Sequence, residues 1–165
     1  MQAGKIAGPF IEPHSFIFLA PKKNGEFRLI HNLSHPSENS LNDFIDPEFC
    51  SVRYAGIDDA VEMIKRIGKG GMLAKADTKN AFRLLKVAPS DFDQLGFRFE
   101  GKYYFDKCLP MGASISCSIF ENFSTALHWF TKLQSHSKNI LHYLDDFLLG
   151  GPAESPLCQI TLDTI

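Results

Sequence analysis

Two apolar segments, residues 139–143 and 147–149, are separated only by Leu144-Asp145-Asp146. That spacing predicts a hairpin with two adjacent carboxylates at its tip. Neighbouring side chains of an extended segment point to opposite faces, so at most one of the pair faces a given site. Asp is a common turn former, and the pair taken alone reads equally as a polar turn. The tip has no glycine, and Tyr143 precedes it.

The chain around this hairpin alternates strands and helices. Residues 1–14 hold Gly4, Gly8, Pro9 and Pro13 and read as an irregular lead-in. Residues 16–19 and 27–30 form two short strands around Asn24-Gly25, the strongest short hairpin signal, because both residues tolerate positive φ. Residues 34–55 read mainly as loop. Ile57, Ala60, Val61, Ile64 and Ile67 recur at helical spacing. Asp59 and Glu62 suit a capping box there, and Gly68 a stop. Residues 72–76 are a buried-looking strand that ends in Asp77. Leu95, Phe97 and Phe99 alternate, Glu100-Gly101 turns the chain, and residues 103–105 return it. A second helix is predicted from about Ser118, its core face holding Ile119, Phe120, Phe123, Leu127 and Phe130. A last helix begins near residue 154. The order predicts an α+β fold, an antiparallel sheet backed by helices.

Composition narrows the function classes. With 17 Lys+Arg against 19 Asp+Glu, the formal charge is −2, so any nucleic-acid function rests on a local site. The four cysteines form no CxxC pair, which argues against a zinc site or a disulfide scaffold and fits a reducing compartment. No apolar run approaches the roughly 18 residues of a membrane span.

Asp77, Asp145 and Asp146 together suggest a metal site. Hard cations such as Mg²⁺ take oxygen ligands, and one or two carboxylates plus substrate phosphates suffice. Asp77 alone reads equally as an N-cap. Lys22, Lys23 and Arg28 cluster on the first hairpin and could neutralise a polyphosphate, or form a solvated tip. Residues 109–114, Leu-Pro-Met-Gly-Ala-Ser, make a loop whose small residues would let a base or sugar approach the backbone. Lys69-Gly70-Gly71 lacks the spacing of a phosphate loop.

Four stretches in fixed order resemble a reverse transcriptase: LAPKKNGEFRLIHNLS (19–34), KADTKNAFRLLKV (75–87), LPMGASISCSIF (109–120) and HYLDDFLLGG (142–151). The last is similar to the YxDD box of that family. The wording of these stretches further resembles the retrotransposon type with a tyrosine recombinase, the DIRS-like group. The resemblance implies a right-hand polymerase, with fingers about 15–70 and palm about 71–165, truncated before the thumb. It implies two Mg²⁺ or Mn²⁺ ions held by Asp77 and Asp145, with Asp146 beside them and the Thr78 carbonyl as a further ligand. Lys23 and Arg28 would hold the incoming dNTP, Lys22 replacing Lys23 if the alignment shifts by one. Phe82 would be the steric gate against a ribose 2′-hydroxyl. Met111 and Gly112 would border the templating base pair and the sugar. Partners would be an RNA or DNA template with a primer, and the thumb and ribonuclease H segments with which the family continues. Two other classes stay open: an inactive retroelement remnant that only folds or binds nucleic acid, and a different palm-type enzyme. Phe82 disfavours ribonucleotide substrates, and the first hairpin disfavours a nucleotide cyclase.

Overall fold

Hairpins and antiparallel pairing organise the strands of the described residues. A computed structural model describes residues 4–5, 15–23 and 25–165. The chain divides into two units, one of residues 1–51 and 82–116, the other of residues 52–81 and 117–165.

In the first unit, β1 (Gly4–Lys5) pairs with a later hairpin. Strands β2 (Phe16–Pro21) and β3 (Phe27–Asn32) form the predicted first hairpin, in register from Phe16↔Asn32 to Pro21↔Phe27. Lys22 N–H donates to Glu26 O at 2.7 Å and closes its end, with Gly25 at φ 83°. Asn24 lies outside the described residues.

The later hairpin of this unit, Gly96–Phe99 and Lys102–Phe105, turns through Glu100 and Gly101, both at positive φ, as a two-residue hairpin loop favours. Its second strand sits between β1 and the first, giving a three-stranded sheet. Leu33, Leu95, Phe97 and Leu109 are buried here. His31 is buried beside them, its ring edge-on to Phe97 and its Nε2 2.7 Å from Ser15 Oγ. Burial lowers the His31 pKa to about 4, against an upward pull from Asp106 and a further downward push from Arg83. Arg83 and Asp106 form a close ion pair, Nη1 to Oδ2 at 2.6 Å.

The second unit begins with α1 (Ile57–Ile67). Its cap is one turn earlier than the sequence suggests: Gly56 N–H donates to Asp59 Oδ2 at 2.7 Å, so Asp59 is the box acceptor rather than the cap. Gly68 ends the helix as predicted, its N–H donating to Ile64 O. Met63 is the buried residue of α1, whereas Ile57, Val61 and Ile64 of the predicted apolar stripe are exposed.

Next comes β4 (Met72–Asp77), and the intervening Gly96–Phe99 and Lys102–Phe105 are β5 and β6 in chain order. Helix α2 (Ser116–Ser135) is followed by β7 (Ile140–Tyr143), β8 (Asp146–Gly151) and α3 (Leu157–Thr164). The sheet order is β4-β8-β7, all antiparallel. Ile140, Phe147 and Leu149 form its core with Ala74, Ala76, Leu127, Leu162 and Ile165, so α2 and α3 cover one face. Burying those side chains contributes about 1.5–3 kcal/mol for each large one.

The expected core face of α2 is partly corrected. Phe120 is fully buried and Leu127 packs on the sheet, but Ile119 and Phe130 are exposed. Ser124, Thr131 and Ser135 are buried instead. Ser135 Oγ is satisfied within the helix, donating to Thr131 O at 2.7 Å.

Candidate active site

The turn between β7 and β8 contains just Leu144 and Asp145, with Tyr143 paired to Asp146. It is one residue shorter than the sequence suggests, because Asp146 is already the first residue of β8. Leu144 has φ 52° and Asp145 is not at positive φ. A positive φ at the first central residue only is the pattern of a type II′ hairpin turn, where glycine is usual. A leucine there stores backbone strain at the tip.

Register then decides which carboxylates meet. Asp77 of β4 lies directly opposite Asp146 of β8, and Thr78 N–H donates to Asp145 O at 2.9 Å. The next pair, Ala76↔Phe147, belongs to the covered face, so Asp77 and Asp146 point to the other one. Lys75, two residues before Asp77, shares their face and reaches diagonally to Asp146, Nζ to Oδ1 at 2.9 Å. The Asp146 carboxylate, aided by Asp77 and Asp145, holds the Lys75 ammonium above the usual lysine range. Tyr143 is on this face too, its ring 4.5 Å from that of Tyr54. Burial pushes the Tyr54 phenol up, with the Cys117 thiol beside it adding to the effect.

Behind the turn, on the covered face, the His142 ring stacks on Phe147. His142 Nε2 lies 3.0 Å from Glu121 Oε1, and its Nδ1 lies 2.9 Å from His128 Nδ1. Since the carboxylate accepts, Nε2–H of a neutral His142 donates, and His128 Nδ1–H donates to His142. Burial, with the neighbouring His142 and Lys132, lowers the His128 pKa to about 4.

The donor set suits a hard cation. Mg²⁺ binds through one or two carboxylates and completes its shell with water and substrate phosphate. Asp77 and Asp146 offer two carboxylates on one strand face, whose far end, at Gly150, is covered by Ile67 of α1. Among the described residues, no group of three or more His, Cys, Asp or Glu is gathered to hold an ion by itself. The Thr78 carbonyl accepts Ala81 N–H at 3.1 Å, which leaves one lone pair.

The remaining candidates belong to the first unit. Lys22 is paired with Glu26 at 3.0 Å, while Lys23 beside it is exposed. Arg28 is exposed on β3, opposite Ala20. Phe82 is half-buried on a one-turn 3₁₀ helix, Ala81–Leu84. Met111 O accepts His31 N–H at 3.2 Å, which lays the 110–113 loop along β3. Gly112 has φ 144°, and a Cβ there would collide with the His31 carbonyl. Asn42 straps the loop: its Nδ2 donates to Gly112 O and to Ser34 Oγ, both at 2.8 Å, and its Oδ1 accepts Ser114 N–H at 2.8 Å.

Lys75, Tyr54 and Asn42 escaped the sequence reading. The period of two counted back from Asp77 signals Lys75. Nothing local signals the strap by Asn42, whose loop partners Gly112 and Ser114 lie about seventy positions away.

The profile of the family described as "Reverse transcriptase (RNA-dependent DNA polymerase)" matches residues 20–165. The chain belongs to the reverse transcriptase family. The Tf2-3 and Tf2-4 transposon polyproteins of Schizosaccharomyces pombe (strain 972 / ATCC 24843) are each 24% identical to this reverse transcriptase chain over 139 residues. That stretch is 84% of the chain, and the chain spans 9% of each polyprotein. Among solved structures, native prototype foamy virus protease-reverse transcriptase superposes with a TM-score of 0.62 at 17% identity, covering 92% of this chain and 18% of that one. The foamy viral protease-reverse transcriptase dRH in complex with double-stranded DNA gives 0.63 at 16%, covering 92% and 24%. The fold is accordingly that of reverse transcriptase fingers and palm, an α+β arrangement of antiparallel sheets and helices, of the retrotransposon or retroviral type.

Proposed function

We propose that this chain is the RNA-directed DNA polymerase segment of a retroelement protein, joining a dNTP to a primer 3′-hydroxyl on an RNA or DNA template. The observation that carries the reading is the register Asp77↔Asp146, with Asp145 in the adjoining turn. It brings three carboxylate-bearing residues to one end of one sheet. Asp77, Asp145 and Asp146, with the Thr78 carbonyl, would hold two Mg²⁺ or Mn²⁺ ions. When bound, such ions activate the attacking hydroxyl and stabilise the leaving oxygen.

The chain's own residues have distinct tasks in this proposal. Lys23 and Arg28 neutralise the triphosphate as exposed cations on one hairpin. Phe82 excludes a ribose 2′-hydroxyl by its bulk. Met111 and Gly112 border the base pair and the sugar, the His31 and Asn42 bonds fixing their backbone. The β7–β8 turn, backed by the Glu121–His142–His128 chain, keeps Asp145 and Asp146 in place. The division into fingers at about 15–70 and palm at about 71–165 belongs to the same proposal, as does the DIRS-like subgroup. A thumb and a ribonuclease H segment of the longer polypeptide would be its partners.

The test is primer extension on an RNA template by a Tf2-type polyprotein in which this chain replaces the matching segment. Mg²⁺-dependent dNTP incorporation that disappears with Asp77→Asn supports the assignment. Incorporation that survives Asp77→Asn overturns it.

A further inference from the structure

Lys75 stands on the same strand face as the two opposed carboxylates, and its ammonium is bound to one of them. Like charges directly opposite each other in an antiparallel pair repel, and Asp77↔Asp146 is such a pair. Lys75 is the cation that relieves it, through the diagonal neighbour position of the ladder. Its side chain is 68% exposed. A buried structural role therefore does not explain it.

We propose that Lys75 is a positioning residue that occupies Asp146 in the metal-free protein and sets the cation concentration at which the site fills. The inference rests on the reading of Asp77 and Asp146 as cation ligands. A divalent ion at Asp146 competes with the ammonium that lies 2.9 Å from Oδ1. Two costs follow for the ion: loss of the lysine pair, and repulsion from a positive charge two residues from Asp77. Both vanish when position 75 is neutral. The lysine thus holds Asp146 aligned in the empty site, protects the carboxylates from mutual repulsion, and weakens cation binding.

This role differs in sign from that of an ordinary surface ion pair. Removing a pair that merely stabilises the sheet lowers stability and leaves cation affinity unchanged or weaker. Removing a competitor lowers the stability of the metal-free chain and raises cation affinity. Lys75→Met keeps most of the aliphatic stem and removes the charge, and Lys75→Arg keeps the charge.

The experiment titrates Mn²⁺ into the chain and follows free Mn²⁺ by electron paramagnetic resonance, with melting temperatures in EDTA recorded alongside. Lys75→Met is expected to bind Mn²⁺ about three- to tenfold more tightly than wild type while melting lower in EDTA. Lys75→Arg should stay within about twofold of wild type. With Asp146→Asn already present, Lys75→Met should have a smaller effect, because its partner is gone. Equal or weaker Mn²⁺ binding by Lys75→Met, with wild type binding normally, overturns the Lys75 proposal alone. No Mn²⁺ binding by wild type overturns the carboxylate assignment and the role of Lys75 with it.

Discussion

Replacing Gly112 with alanine perturbs the pocket loop at the point where the structure tolerates it least. Gly112 combines φ 144° with a Cβ position that collides with the backbone carbonyl of His31. The backbone strain alone is about 1–3 kcal/mol. The collision partner is a β3 carbonyl rather than the end of a flexible side chain, so the loop must move away from it. Movement strains or breaks three bonds: His31 N–H to Met111 O, Asn42 Nδ2 to Gly112 O, and Ser114 N–H to Asn42 Oδ1. Each is worth about 1 kcal/mol. Lower entropy of the unfolded chain returns about 0.4–1 kcal/mol. The net loss is about 3–5 kcal/mol, a large share of the roughly 5–15 kcal/mol of a typical domain. Gly101→Ala is the matched control, because Gly101 has φ 73° with open space where the Cβ would go. It carries the strain without the collision and should cost about 1 kcal/mol. Urea unfolding followed by circular dichroism measures both, and Gly112→Ala should lower the midpoint by about 2 M for an m-value near 2 kcal/mol/M. A Gly112→Ala loss no larger than that of Gly101→Ala would refute the packing of the loop against His31.

Two more outcomes follow. His31 has a folded pKa of about 4 against an ordinary 6.5, so the unfolded chain binds the extra proton between those values. Its contribution is complete above about pH 6.5 and is lost as pH falls towards 4, at up to about 1.4 kcal/mol per pH unit. His128, lowered to about 4 as well, adds a slope of the same sign; urea midpoints between pH 4.5 and 7 should show both, and His31→Gln should remove only the His31 share. Phe82→Val, in the Tf2-type polyprotein carrying this chain, should raise rNTP use relative to dNTP use about tenfold, or 1.4 kcal/mol. An unchanged ratio, with both activities falling together, would make Phe82 a packing residue.

Local chemistry made much of the fold readable from the residues. The first hairpin, the Glu100-Gly101 turn, the Gly68 stop and the hairpin around Asp145 all arise from turn residues acting on their neighbours. The features that escaped depend on register or on distant partners. Asp146 rather than Asp145 opposes Asp77, and a slip of one residue would reverse every face of β8. The Lys75 pair follows only once that register is known. The stripe Ile57, Val61 and Ile64 has the spacing of a core face, yet Met63 is the buried residue of α1. On α2, tertiary position outweighs apolar spacing: Ser124 and Thr131 are buried while Phe130 is exposed. Asn42 looks like any loop asparagine until the fold brings Gly112 and Ser114 to it.

The central claim is that the carboxylates at the β4–β8 end form a divalent-cation site that takes a nucleoside triphosphate. The most direct measurement is the melting temperature of the chain with EDTA, with Mg²⁺, and with Mg²⁺ plus a dNTP. It is made for wild type and for the Asp77→Asn/Asp145→Asn double variant. A ligand that binds only the folded chain raises its stability by RT ln(1 + [L]/Kd), about 2.7 kcal/mol at a hundredfold excess over Kd. The melting temperature of wild type should rise with Mg²⁺ and rise further when the dNTP is added, and that of the double variant should do neither. Wild type and double variant responding alike would contradict the claim.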